Sequence, residues 1–136
     1  MRARALACLA AALFAGACVP SSESAKLRVQ GAITAAPHLQ RKAEQSDFVL
    51  LIVAMNAGGV PVAVRRVLHP KLPLDYALTE EDLVLPGPVR GPLTVKVHAS
   101  THGQAGITTH GDLGGTHPGP VDTEAREVNI VIDREF

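Results

Sequence analysis

Cysteine and aromatic residues are scarce in this sequence of 136 residues, which holds two Cys, no Trp, one Tyr and three Phe. Two cysteines cannot make a disulfide-dense scaffold, and no C-x-x-C motif is present for a redox or metal site. A core in this chain must therefore be aliphatic, built of Val, Leu, Ile and Ala. The length fits one domain.

An excess of charge is also missing, because 13 Lys and Arg residues stand against 13 Asp and Glu residues. If the first 17 residues are removed as a signal, Arg2 and Arg4 leave with them. The remainder then has 11 basic and 13 acidic residues, a net charge of −2. Such a chain offers no basic surface of the kind that binds nucleic acid, so we expect no nucleic-acid partner.

The N-terminal sequence indicates a lipoprotein signal peptide over residues 1–17. A short basic start precedes an apolar run over residues 6–15, which is shorter than the about 20 residues needed to span a bilayer. Small residues then lead to Cys18 in the sequence Ala-Gly-Ala-Cys, which resembles the bacterial lipobox. The resemblance implies that Cys18 becomes the lipidated, palmitate-bearing first residue of the mature protein.

Residues 18–25 then form the lipidated cysteine and a serine-rich, flexible tether. Ordinary cleavage near Ala17, which would leave a free Cys18, stays open as the alternative. No Asp follows the cysteine. We therefore expect a protein that faces the periplasm in the bacterial cell envelope, on the outer membrane rather than the inner one. The folded domain is predicted over residues 26–136, without a disulfide.

Alternation of apolar and polar residues predicts several short strands after the tether. The clearest feature is a hairpin, in which the most apolar run and a returning strand are joined by the turn sequence Asn-Ala-Gly-Gly. Residues 36–45 are polar and fit one helical turn. Together these features predict an all-β fold, a small antiparallel β-sandwich of about six to seven strands. The predicted strands are residues 26–33, 47–55, 60–68, 74–78, 93–100 and 126–136.

Sequence motifs of catalysis are missing. Ser100 and His102 are close in sequence, but no G-x-S-x-G elbow surrounds them, and neither a phosphate-binding loop nor H-E-x-x-H occurs. A Ser-His-Asp hydrolase that uses Asp112 is a minor alternative. The acidic run at residues 80–82 is interpreted as a solvated turn. We predict that the protein is not an enzyme.

Histidine is concentrated in residues 97–119, which hold four of the six histidines. Alternation places His98 on the polar face of a strand, and His102 lies about 13 Å further along an extended chain. The two imidazoles could bind one zinc or copper ion only if the chain turned after Ser100, and zinc sites rarely use such loosely spaced ligands without a carboxylate or thiolate ligand. We therefore expect solvated histidines and no cofactor. The residues that could contact a partner or a metal are His98, His102, His110, Asp112 and His117.

Five motifs occur in order within residues 29–133: GAITAAPHL, DFVLLIVAMNAGGVPVAVRRV, LPLDYALTEEDLVLPG, GPLTVKVHASTHGQA and GDLGG. Together they resemble the C-terminal periplasmic domain of cytochrome c-type biogenesis protein I or H, the apocytochrome c chaperone of maturation system I. The resemblance implies a β-rich, non-catalytic binding domain in which GDLGG connects two strands. His98 stands where that family has an arginine, and Leu83 and Val84 stand where it has methionines. Where the family has transmembrane helices and a helical-repeat region, this chain has the sequence that resembles a lipobox.

These observations predict a lipoprotein domain that assists cytochrome c-type biogenesis by binding an unfolded polypeptide. The expected partners are apocytochrome c or other maturation proteins, and the membrane through the N-terminal lipid. Two alternatives stay open. One is an envelope lipoprotein that binds zinc, copper or haem through the loop histidines, and the other is a structural envelope lipoprotein without a ligand.

Overall fold

Eight β-strands form two sheets in the computed structural model, which describes residues 26–45 and 47–136. One helical turn, α1 (Gln40–Ala43), and one 3₁₀ turn (Glu80–Asp82) complete the regular structure of these residues. The strands are β1 (Arg28–Ala35), β2 (Val49–Met55), β3 (Pro61–Leu68), β4 (Leu74–Thr79), β5 (Thr94–Ser100), β6 (Leu113–Thr116), β7 (Ile130–Ile132) and β8 (Arg134–Glu135).

The strands are arranged in the order β4-β1-β7 in one sheet and β3-β2-β5-β6-β8 in the other. The predicted all-β sandwich is confirmed. Every pair of neighbouring strands is antiparallel except β1 and β7, which run parallel, and this exception was not predicted. β7 and β8 are separated by one residue, Asp133, so the end of the chain passes from one sheet to the other.

The predicted hairpin is the pair β2–β3, and its turn depends on Asn56. The side-chain oxygen of Asn56 accepts hydrogen bonds of 3.0 Å from the backbone N–H groups of Gly58 and Val60. β2 lies between β3 and β5 and is buried on both faces, with Leu50 and Leu51 pointing to opposite sides. A strand covered on both faces needs a continuous apolar run, which is why residues 47–55 carried the clearest signal.

Side chains from both sheets fill an aliphatic core between them, as the composition predicted. β5 contributes Val95, Val97 and Ala99, all nearly inaccessible to solvent. Full burial of a Val, Leu or Ile side chain favours folding by about 1.5–3 kcal/mol. Tyr76 also lies in the core, where its hydroxyl donates a 2.7 Å hydrogen bond to the carbonyl of Val128. Burial raises the pKa of Tyr76 above its ordinary value.

Strand β6 was not predicted, because its sequence Leu-Gly-Gly-Thr has low β-propensity. The resemblance instead implied that GDLGG is a connection between strands. The structure shows the reason for Gly115, since a Cβ there would lie 2.1 Å from the carbonyl oxygen of Val131. The close approach of β7 therefore requires a residue without a side chain. β6 pairs with β5 and places Asp112 beside the polar face of that strand.

The predicted signal peptide, Cys18 and the tether all fall within residues 1–25, outside the described residues. Within residues 26–45 and 47–136, no helix has the length and apolar character needed to cross a bilayer.

Candidate functional site

Two histidines share one buried carboxylate on the outer face of the five-stranded sheet. Asp112, which is 3% exposed, lies immediately before β6. Its Oδ2 is 2.9 Å from Nε2 of His98, on β5, and 2.9 Å from Nε2 of His102, in the loop that follows. Three of the five candidate site residues predicted from the sequence are therefore in direct contact.

The chain turns sharply after β5. Such a turn after Ser100 is the condition under which His98 and His102 could bind one ion. The hydroxyl of Ser100 accepts a 3.0 Å hydrogen bond from the N–H of Gly103, and Gly103 has a positive φ of 61°. Arg66 on β3 donates a 2.9 Å hydrogen bond to the carbonyl of Gly103. Since glycine adopts positive φ without steric cost, this turn returns His102 to the same carboxylate as His98.

The contacts of His102 define its tautomer in this arrangement. Its Nδ1 lies 3.1 Å from the backbone nitrogen of Gln104 and accepts that N–H. In a neutral imidazole the other ring nitrogen must then carry the proton. Nε2 therefore donates to Asp112, and both ring nitrogens of His102 are occupied.

Thr109 completes the hydrogen bonds to the carboxylate. Its backbone N–H donates to Oδ2 of Asp112 at 2.8 Å, and its hydroxyl donates to Oδ1 at 3.1 Å. Burial by itself raises the pKa of Asp112, but the hydrogen bonds from Thr109, His102 and His98 together hold that pKa well below its ordinary value. Asp112 is therefore a stable anion at neutral pH.

The two histidines are largely shielded, so the prediction of solvated histidines is wrong for His98 and His102. Their side chains are 13% and 21% exposed. The rings meet edge to face with centroids 5.9 Å apart, and Phe136 stacks on His98 with centroids 6.0 Å apart. Aromatic contacts in these geometries stabilise the pair beyond simple burial. The sequence did not reveal them, because Phe136 is 38 positions from His98 along the chain.

The other two histidines of the segment lie elsewhere. His110 is exposed, as predicted. His117 follows β6 and donates from Nδ1 to the carbonyl of Asn129 at 2.9 Å. Neither belongs to the group formed by His98, His102 and Asp112, whose ligand atoms all lie within 4.8 Å of one another.

The geometry does not support the hydrolase alternative. Ser100 is fully buried, and its hydroxyl is engaged by the N–H of Gly103. His102 has no ring nitrogen free to remove the proton of that hydroxyl, because Asp112 and Gln104 occupy both. A nucleophile without a base in reach is not activated.

The acidic run at residues 80–82 is only partly a solvated turn. Glu80 and Glu81 are exposed, as predicted. Asp82, however, accepts the Nε–H of Arg65 at 3.0 and 3.2 Å, and it also accepts the backbone N–H of Thr79 at 2.9 Å. This carboxylate therefore caps the 3₁₀ turn and ties it to β3.

An apolar groove lies at the other end of the five-stranded sheet and was not predicted as a site. It has a volume of about 460 Å³ between the β2–β3 turn and residues 83–90. Three large apolar side chains on its rim are strongly exposed: Val60 (56%), Val84 (52%) and Leu85 (77%). The signal in the sequence is the apolar triplet Leu-Val-Leu at residues 83–85, before the Pro-Gly-Pro bend at residues 86–88, and this triplet is too short to indicate a strand.

Comparison with known proteins gives one finding. The model of the family described as "Cytochrome c-type biogenesis protein H Ig-like domain" matches residues 29–133. No curated protein and no solved structure matches the chain. The matched range begins in β1, ends just before β8 and includes both the apolar groove and the histidine–carboxylate group.

Proposed function

Because the chain belongs to the family of the Ig-like domain of cytochrome c-type biogenesis protein H, we propose that it holds an unfolded segment of apocytochrome c during maturation. The family match is the observation that carries this proposal, and it supports a role in cytochrome c maturation on the periplasmic side of the envelope. The same family is one of biogenesis rather than of catalysis, so we propose a binding role without chemistry.

The apolar groove is the surface that fits such a client. Exposed Val60, Val84 and Leu85 lie next to one another around a single depression. Scattered apolar side chains on a surface are ordinary, but a contiguous group of large ones marks an interaction site. An unfolded polypeptide exposes the apolar side chains that its folded form buries, so it can cover this surface where the folded form cannot.

The groove is also well supported by the sheet beneath it. The N–H of Val84 donates a 3.0 Å hydrogen bond to the carbonyl of Val62, and Leu83 packs against the core. Pro86 and Pro88 follow in the same segment and have no N–H to offer to another strand. We therefore expect the client to bind through side-chain contacts in the groove rather than by extending the sheet.

Binding of apocytochrome c and of holocytochrome c to the full chain in detergent, measured by fluorescence anisotropy, tests the proposal. The apo form should bind at least about tenfold more tightly, because only the apo form exposes its apolar segments. Leu85→Asp should reduce that affinity by about tenfold, the effect of roughly 1.4 kcal/mol. Equal affinity for both forms, or no binding, would contradict a maturation role.

Ile107→Asp is the matched control for the groove variant. Ile107 is 48% exposed and lies in the histidine loop, residues 101–112 between β5 and β6, so the substitution introduces the same charge on a different surface. It should leave apocytochrome binding unchanged. If Ile107→Asp abolishes binding and Leu85→Asp does not, the client binds the histidine loop, and the groove is excluded.

We further propose that Cys18 carries the lipid that holds the domain at the envelope, on the outer membrane. The support is the Ala-Gly-Ala-Cys sequence and the serine-rich tether after it. Labelled palmitate should be incorporated into the wild-type chain and not into Cys18→Ser. Incorporation into both would exclude this residue as the lipidation site.

Haem is not proposed as a ligand. Nε2 of His98 and of His102 both point at Asp112, and their side chains are only 13% and 21% exposed, so neither presents an open face to a macrocycle. A structural role without a client is the alternative that remains if the client experiment fails.

A further inference from the structure

We propose that His98, His102 and Asp112 form a binding site for one transition-metal ion of the zinc or copper(II) class. The ligands would be Nε2 of each histidine and Oδ2 of the carboxylate. This site goes beyond the proposed client binding, because it lies at the opposite end of the five-stranded sheet from the apolar groove.

The distances are close to those that a metal needs. All three ligand atoms lie within 4.8 Å of one another, and each Nε2 is 2.9 Å from Oδ2. Ligands at about 2.0–2.1 Å from a tetrahedral zinc ion are about 3.3 Å apart. Each Nε2 therefore has to move about 0.4 Å away from Oδ2, and the two Nε2 atoms, which are within 4.8 Å of each other, have to lie about 3.3 Å apart. His98 is on β5, so the larger movement falls to His102 in the loop.

The chemistry of the donor set also fits. Two imidazoles and one carboxylate form a mixed nitrogen and oxygen set of the kind that zinc and copper(II) accept. The carboxylate is itself held by Thr109, through its N–H at 2.8 Å and its hydroxyl at 3.1 Å. Metal-binding carboxylates are commonly oriented by such hydrogen bonds.

One contact of His102 has to change when the metal binds. A metal on Nε2 moves the ring proton to Nδ1, which at present accepts the N–H of Gln104 at 3.1 Å. A turn of the peptide between Gly103 and Gln104 replaces that N–H by the carbonyl of Gly103. Metal-binding histidines commonly donate their second N–H to a carbonyl or carboxylate.

This turn changes ψ of Gly103 and φ of Gln104, and Gly103 accommodates the change in ψ because it has no side chain. Arg66 opposes it, since it donates to the Gly103 carbonyl in the present orientation at 2.9 Å. The metal-free arrangement is therefore a competing state in which the three side chains satisfy one another. Metal binding has to break the hydrogen bond from Arg66 to the Gly103 carbonyl, and this cost should weaken the affinity for the metal by up to about tenfold.

Calorimetric titration of the full chain in detergent with zinc chloride, and separately with copper(II) sulfate, tests the site. One ion should bind per chain. His102→Gln keeps an N–H that can reach Asp112 but removes the imidazole ligand, so the fold is retained. It should weaken binding by at least about 100-fold, since loss of even an orienting partner costs about 10–100-fold.

His110→Gln is the matched control, because it removes an exposed histidine from the same loop. Its affinity should stay within about twofold of the wild type. Nitrogen-15 NMR of the imidazoles should show a proton on Nε2 of His102 before zinc addition and on Nδ1 after it. The site is excluded if the wild type binds neither ion, or if His102→Gln binds the ion with the affinity of the wild type.

Arg66→Ala separates a metal ligand set from a purely structural cluster. Releasing the Gly103 carbonyl should raise zinc affinity by up to about tenfold, although the substitution removes a stabilising hydrogen bond. A structural cluster with adventitious metal binding would instead lose affinity as the loop loosens. Unchanged or reduced affinity would therefore overturn the proposed turn of the peptide.

Discussion

The two ends of the five-stranded sheet are built in opposite ways. At the end where β2 begins, polar side chains meet around Asp112 and satisfy one another. At the end where β2 stops, the groove leaves Val84 and Leu85 exposed to solvent. In the part of the chain that the structure describes, every buried side-chain nitrogen and oxygen has a hydrogen-bond partner.

The difference separates stability from binding. A buried carboxylate with several donors contributes to folding, and its removal leaves those donors without a partner. An exposed apolar rim contributes almost nothing to folding, because its side chains remain in water in the folded state. Substitutions at the polar end should therefore change the free energy of unfolding, and substitutions at the apolar end should change the affinity for a client.

The largest effect is expected from Asp112→Ala. It removes the acceptor of the N–H groups of His98, His102 and Thr109, and the two imidazoles are largely shielded from solvent, so we expect a loss of about 3 kcal/mol in the free energy of unfolding. Urea denaturation followed by circular dichroism measures it. The control Asp75→Ala removes an exposed carboxylate from β4 and should cost less than about 0.5 kcal/mol. Equal losses in both variants would show that Asp112 has no special role.

The second-largest effect is expected from acid, which should reduce the contribution of Asp112 to the free energy of unfolding. Because the folded-state pKa of Asp112 is lowered, its ionised form stabilises the fold above its unfolded-state pKa of about 4, and this contribution is lost as pH falls toward the folded-state pKa. The stability difference between the wild type and Asp112→Asn should narrow by about 1–2 kcal/mol from pH 5 to pH 2.5, with a chelator present. A constant difference would contradict the lowered pKa of Asp112.

A smaller effect should distinguish the two kinds of histidine. His102→Ala removes a hydrogen bond to a buried charge and should cost about 1–1.5 kcal/mol. His110→Ala removes an exposed side chain and should cost less than about 0.5 kcal/mol. Thermal unfolding of both variants at pH 7 measures the difference. If His110→Ala lowers the stability more than His102→Ala does, the distinction between a structural His102 and an exposed, dispensable His110 is wrong.

The smallest effect on stability should come from the apolar end. Leu85 is 77% exposed, so Leu85→Asp should change the free energy of unfolding by no more than about 0.5 kcal/mol while it weakens client binding. Urea denaturation of this variant beside the binding experiment separates the two properties. A large loss of stability would mean that Leu85 supports the fold, and the binding result could then not be assigned to the groove.

Local patterns were sufficient for most of the fold. Alternation predicted β1 to β5 and the β2–β3 hairpin, because burial on one or both faces is written directly into consecutive residues. It failed at β6. A Cβ added at Gly115 would lie 2.1 Å from the carbonyl oxygen of Val131 in β7, so this position needs glycine. No local pattern carries that contact, since the two strands are separated by more than ten residues along the chain.

The candidate site divides in the same way. The sequence by itself determined that histidines and one aspartate cluster in residues 97–119 and that His98 lies on the polar face of its strand. Only the tertiary structure decided that His98 and His102 meet at Asp112, whereas His110 and His117 do not. The physical reason is the pairing of β5 with β6 and the turn at Gly103, which bring together side chains that an extended chain would hold about 13 Å apart or more.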